Sequence, residues 1–188
     1  MFFHMPVKLF FGSKEIKNLS MIVNEQLKAK NPVLITDKGV VKSGLLKKIT
    51  DQLPGIRVYD CIEANPKSDT INAVAREIRK QPVDLVIGLG GGSPLDAGKA
   101  LALLGTNPGN IEEYEGRARY QHNPLPFLAI PTTCGTGSEV TWVSVITDVA
   151  RKFKMSIKGP EMYPAVSIVD PDLIKTLPPD IVASTGLD

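Results

Sequence analysis

Short apolar runs alternate along the chain with longer stretches in which apolar residues return every three or four positions. The runs, at residues 7–11, 33–35, 56–59, 85–87, 127–130 and 165–169, predict strands buried on both faces of a sheet. Ile16, Leu19, Ile22, Val23 and Leu27 mark the inner face of one helix, spanning about 13–30; Val41, Leu45, Leu46 and Ile49 mark that of a second. A third carries Ile71, Val74, Ala75 and Ile78 behind a capping Ser68 and closes before Pro82. Strand and helix in alternation predict an α/β, Rossmann-like parallel sheet with helices on both faces. Residues 105–126 are loop-rich, with a short helix expected at 111–114. Residues 143–148 and 154–158 read as a small β-hairpin extension. A short helix at 173–177 and a last one capped by Asp180 complete the pattern.

Composition places the chain among ordinary soluble globular proteins, with 43% hydrophobic and 22% charged residues. A net charge of +2 with scattered basic residues argues against nucleic acid and membrane surfaces as partners. No apolar run approaches a membrane span, and the first residues lack a signal-peptide layout. Cys61 and Cys134 lie far apart, with neither disulfide nor zinc spacing, which fits a reducing, cytoplasmic setting.

Two polar turns change the picture. The strand at 85–87 opens into Gly88, Gly90, Gly91 and Gly92, followed by Ser93-Pro94-Leu95-Asp96, a helix start with Ser93 at the cap and Pro94 at the first helical position. Glycines feeding a helix N-terminus leave room and free N–H groups for a phosphate, while a ligand-free tight turn is the plainer alternative. The stretch matches neither the usual dinucleotide fingerprint, because Ser93 stands at its last position, nor the P-loop, because Ala100 follows Gly98-Lys99. The strand at 127–130 opens into Pro131-Thr132-Thr133-Cys134-Gly135-Thr136-Gly137-Ser138-Glu139, whose hydroxyls and N–H groups suit another part of the same ligand. It is no hydrolase elbow, and Cys134, with only His4 and His122 as bases in the chain, reads as a small buried thiol. Asp37, at the end of the second strand, suits either a ribose hydroxyl pair or a helix cap. Asn65-Pro66 reads as a turn.

Three motifs together, Gly90 to Asp96, Pro131 to Glu139 and Ser184-Thr185-Gly186-Leu187-Asp188, strongly resemble the iron-containing, group III alcohol dehydrogenases over the whole chain. The resemblance implies a dinucleotide-binding α/β domain at 1–180, with 181–188 opening a helical metal-binding domain that is otherwise missing. It implies that Asp37, Asn65, Gly91, Gly92, Ser93, Asp96, Thr132, Thr133, Thr136 and Lys154 bind the cofactor. That cofactor is NAD rather than NADP, since Asp37 would repel a 2′-phosphate. Asp188 matches the first ligand of a divalent metal, Fe2+ or Zn2+, whose histidine ligands lie in the helical domain. Val143 stands where some members carry a cofactor-contacting asparagine. The implied activity is hydride transfer between alcohols and aldehydes or ketones in the whole parent, with the 188 residues alone inactive. A free-standing nucleotide-binding module and a glycerol-dehydrogenase-like relative are the alternatives. Relatives often dimerise through N-terminal strands, and Phe2, Phe3, Leu9, Phe10 and Phe11 make these residues unusually apolar.

Overall fold

Phe127 to Pro131 and Leu85 to Gly90, two strands buried along their whole length, lie side by side in the middle of a parallel sheet. The structure, a computed structural model, describes residues 4–175, 177 and 179–186. In chain order, β1 (Lys8–Phe11) leads into a helical stretch over 15–26, of which Leu19–Met21 is α1. Next come β2 (Pro32–Ile35), α2 (Lys38–Lys42), α3 (Leu45–Thr50), β3 (Arg57–Tyr59), α4 (Ser68–Ile78), β4 (Leu85–Gly90) and α5 (Gly92–Thr106). A 3-10 turn at Ile111–Tyr114 precedes β5 (Gly116–Arg117), β6 (Phe127–Pro131), the hairpin β7 (Val143–Asp148) and β8 (Phe153–Lys158), β9 (Val166–Val169) and α6 (Pro179–Gly186).

The six-stranded sheet has the order β1-β9-β6-β4-β2-β3 with every pair parallel. Strand periodicity sends alternate side chains to opposite faces. Val33, Ile35, Val86, Phe127 and Ala129 meet α4, α5 and the hairpin on one side. Leu34, Leu85, Ile87, Leu89, Leu128 and Ile130 meet the 15–26 stretch, α2 and α3 on the other. The fold class and the hairpin are therefore as the sequence predicts. The hairpin also gains β5 as a third strand, on the β8 side.

Local details differ from expectation. The first helix tightens at Glu15–Asn18 and widens at Ile22–Gln26, where Leu27 N–H reaches the Ile22 carbonyl. The second divides at Gly44, a left-handed residue with φ 78°, which turns Val40 rather than Val41 into the core and leaves Leu46 half-buried. Lys67, not Ser68, occupies the cap of α4, while the Ser68 hydroxyl accepts the Val149 N–H. A 3-10 turn at Pro171–Leu173 stands earlier than the short helix expected at 173–177. The last helix begins at Pro179, ahead of Asp180, and runs across residues 180 and 181. Met1, Phe2, Phe3, Leu187 and Asp188 lie outside the described residues, and with them the Asp188 metal-ligand expectation.

Candidate dinucleotide cleft

The strand order reverses at one place. From β2 the chain steps outward to β3, then returns past β2 to β4 and continues inward through β6 and β9. Connections above the carboxyl ends of β2 and β4 therefore diverge to opposite sides, leaving the crevice in which open α/β sheets bind ligands. Asp37 follows β2 and the glycine turn follows β4, so the topology brings these two candidates together. The register Ile35 to Gly88 and a buried bond from the Thr36 hydroxyl to the Leu89 carbonyl (2.8 Å) fix the two ends side by side.

At the turn, α5 starts two residues before the expected point. Gly91 is the cap residue and brings no side chain to the first N–H groups of the helix. Ser93 is free of the capping role because its hydroxyl accepts the Asn65 N–H at 3.3 Å. Gly90 takes φ +145°, and a Cβ there would lie 3.0 Å from Cβ of Pro94 and 3.2 Å from Asp37 Oδ2. A Cβ on Gly91 would press on Thr133, and one on Gly92 on Thr136, each at 3.2 Å. The glycines thus let the threonine turn after β6 close over the helix start. An uncapped fifteen-residue helix presents unsatisfied N–H groups and a positive dipole end, chemistry that selects an anion.

Asn65, Gly92, Ser93, Asp96, Thr136 and Lys154 line one cleft of about 710 Å³, with Val143 and Val145 on its hairpin wall. Gly91 and Thr133 stand behind that lining, and Thr133 Oγ1 is the buried side-chain oxygen that lacks a partner among the described residues. Thr132 is buried, its N–H given to the Gly90 carbonyl at 2.9 Å. Asp37 takes the capping role open to it in the sequence, its Oδ1 accepting the Val40 N–H at 2.8 Å, while Oδ2 lies beside Gly90 at the glycine turn. Asn65 sits in the left-handed region with φ 54°, as its turn requires. Cys134 is half-buried, its sulfur 3.9 Å from the Thr185 hydroxyl. A smaller cavity of about 340 Å³, beside Asn31, Pro32, Ile56 and Arg57, opens at the amino ends of β2 and β3, away from the reversal point.

Asp96 is committed within the protein. Oδ1 accepts the Ser138 hydroxyl at 2.6 Å and Oδ2 the Val145 N–H at 3.0 Å. Beside it stands Lys99, with a side chain wholly removed from solvent. Its Nζ donates to the Val143 carbonyl (2.6 Å) and the Thr141 hydroxyl (3.3 Å), and lies 3.5 Å from Asp96 Oδ1. Burial pulls its pKa down to about 8, against the opposing pull of Asp96 and Glu139. Sequence reasoning passed over Lys99 except as part of a failed P-loop. The available signal was a single charge inside the otherwise apolar run 97–104 of a buried helix. Among the described residues, no group of three or more His, Cys, Asp or Glu side chains could hold a metal ion, and no helix is long and apolar enough to cross a membrane.

This geometry has close counterparts. Alcohol dehydrogenase 4 of Schizosaccharomyces pombe is 37% identical over 163 residues, covering 85% of this chain and 39% of that protein. Alcohol dehydrogenase 4 of Saccharomyces cerevisiae is 34% identical over 190 residues, 99% of this chain and 50% of its own. The crystal structure of sulfoacetaldehyde reductase from Bifidobacterium kashiwanohense in complex with NAD+ superposes with a TM-score of 0.92 at 35% identity, over 100% of this chain and 50% of that one. The chain spans about half the length or less of these relatives. A profile of the iron-containing alcohol dehydrogenases matches residues 6–171, and with the uncapped helix, the paired glycine and threonine turns and the strand reversal all in place, the chain belongs to that family.

Proposed function

We propose that these residues form the NAD(H)-binding half of an oxidoreductase that interconverts small alcohols with aldehydes or ketones by hydride transfer. The observation that carries the reading is the uncapped N-terminus of α5, opening on the cleft at the strand reversal. The pyrophosphate takes the N–H groups of Gly92 and Ser93, approached closely because Gly91 and Gly92 lack Cβ atoms. Thr133, whose hydroxyl is otherwise orphaned, and Thr136 hold the cofactor from the opposite turn, with Asn65 and Lys154 along the cleft. Thr132 supports that turn from beneath through its backbone. Asp37 Oδ2 accepts from the adenosine ribose and disfavours a 2′-phosphate. Asp96 serves the cofactor through the wall it holds.

Residues 1–180 make the cofactor domain and 181–188 begin a helical one. In the whole enzyme a divalent ion, iron or zinc, at Asp188 and ligands of that second domain would polarise the alcohol oxygen. Cys61 and Cys134, both free thiols, fit a reducing cytoplasm. A homodimer through β1 follows from its open edge and the exposed Leu9 and Phe11.

Titration of the chain with NADH, followed by nicotinamide fluorescence, tests the core of the proposal. Binding is expected, and Gly91→Val should weaken it at least tenfold by driving a side chain into Thr133. Absence of binding by the folded wild-type chain would refute the reading.

A further inference from the structure

One turn of α5 carries two side chains that never reach solvent freely, yet both reach the same strap, residues 138–145. Asp96 takes the Ser138 hydroxyl and the Val145 N–H, and its carbonyl takes the Ser144 hydroxyl at 2.7 Å. Lys99 takes the two positions between, Thr141 and Val143. The strap leaves the glycine-rich threonine turn and becomes β7, and its Ser138, Thr141, Val143 and Val145 form one side of the cleft. The other side, Gly92 and Ser93, is the start of the same helix that carries Asp96 and Lys99. Cleft width is therefore set by bonds from one wall into the other.

From this geometry we infer that Lys99 is a positioning residue for cofactor binding, its ammonium anchoring the Thr141–Val143 strap to the helix whose N-terminus receives the phosphates. A purely structural lysine is a poor alternative. A buried ammonium costs desolvation that an apolar side chain of similar length would avoid. Its bonds fall on backbone and hydroxyl atoms of the cleft wall, where direction matters more than bulk. The charged groups that bear on Lys99 are Asp96 on its own helix and Glu139 on the turn; the hairpin faces it with the Val143 carbonyl and Thr141 hydroxyl. Loss of its proton turns charge-assisted donors into ordinary ones and removes the countercharge of Asp96, so the strap loosens.

The strap carries its own reporter. Trp142, the sole tryptophan of the sequence, lies between the two residues Lys99 holds, stacked on Tyr163 at 6.0 Å with the Arg117 guanidinium 5.2 Å from its ring. Two measurements on the chain as it stands test the inference, which rests on the dinucleotide reading only in the second. Trp142 emission without ligand should titrate near pH 8 in the wild type and be flat in Lys99→Met. NADH affinity should fall about fivefold from pH 7 to 9.5 in the wild type. In Lys99→Met it should be about tenfold weaker at pH 7 and insensitive to pH. Circular dichroism checks that the variant is folded; should it fail to fold, the wild-type titrations still decide the matter, since they need no variant. Wild-type Trp142 emission that does not change between pH 7 and 9.5 would overturn the anchor. So would a folded Lys99→Met that keeps wild-type NADH affinity. If no NADH binds the wild type at any pH, the dinucleotide reading fails, and the emission profile alone judges the anchor.

Discussion

The two carboxylate oxygens of Asp37 lie in different surroundings, one at the start of α2 and the other beside Gly90, where the proposed ribose site lies. Oδ1 is spent on the α2 cap, so Asp37→Ala should cost about 1 kcal/mol of stability by denaturant titration, as N-cap losses do. Asp37→Ser keeps a capping oxygen and removes only the charge. We expect Ser at this position to preserve the melting temperature while narrowing the preference for NADH over NADPH at least tenfold, measured by titration with both. An unchanged preference would remove Asp37 from the ribose site. Lys99 makes the complementary case for proton linkage. Its folded pKa of about 8 lies below its ordinary value, so between about pH 8 and 10.5 the unfolded chain holds a proton the native one has released. Stability contributed by this residue therefore rises with pH across that window, by on the order of 3 kcal/mol. Denaturation of the wild type and Lys99→Met at pH 7 and pH 10 should show the difference between them moving in the wild type's favour. Folding and cofactor affinity would then respond to the same proton in opposite directions.

Among the elements, α5 is the one whose packing and function cannot be separated. Its N-terminus must sit at the end of β4, and its body must lie close on the sheet to stay there. Gly98 allows this: a Cβ would stand 3.0 Å from Cζ of Phe127 and closer still to Cε2. Gly98→Ala gains helix propensity on paper but should destabilise the chain by about 1–3 kcal/mol, because the ring is held between helix and strand and has little room to yield. Thermal denaturation measures the cost, and a stabilised variant would show that Phe127 can move aside. The same closeness answers why Gly98-Lys99 resembled part of a P-loop. In this fold the glycine is for packing and the lysine points into the protein rather than at a phosphate.

For the molecule as a whole, the sheet ends, among the described residues, in two edge strands, β1 and β3. The β1 edge is the apolar one, with Leu9 42% and Phe11 70% exposed, and Met5 before it 41% exposed. An edge of this kind pairs with another chain unless something blocks it. Light scattering should report a dimer at micromolar concentration, and Leu9→Lys with Phe11→Lys should return it to monomer while leaving NADH binding in place. A wild type that stays monomeric at high concentration would count against the edge as an interface.

The six strands, the hairpin, the two polar turns and the family resemblance were all legible in the order of residues. Each depends on local periodicity, on glycine and proline, or on motifs whose chemistry is carried by neighbours in the chain. Helix starts were less legible. Ser93 and Ser68 have the right chemistry for caps, but their hydroxyls find partners at Asn65 and Val149, remote in sequence. The pairing of β2 with β4, which brings Asp37 to the glycine turn, was decided by tertiary structure alone, because β3 intervenes in the chain. So was the fate of Asp96 and Lys99. Nothing in a helical spacing of three reveals that both will face a strap some forty residues away, where burial makes each of their polar atoms find a partner or pay desolvation.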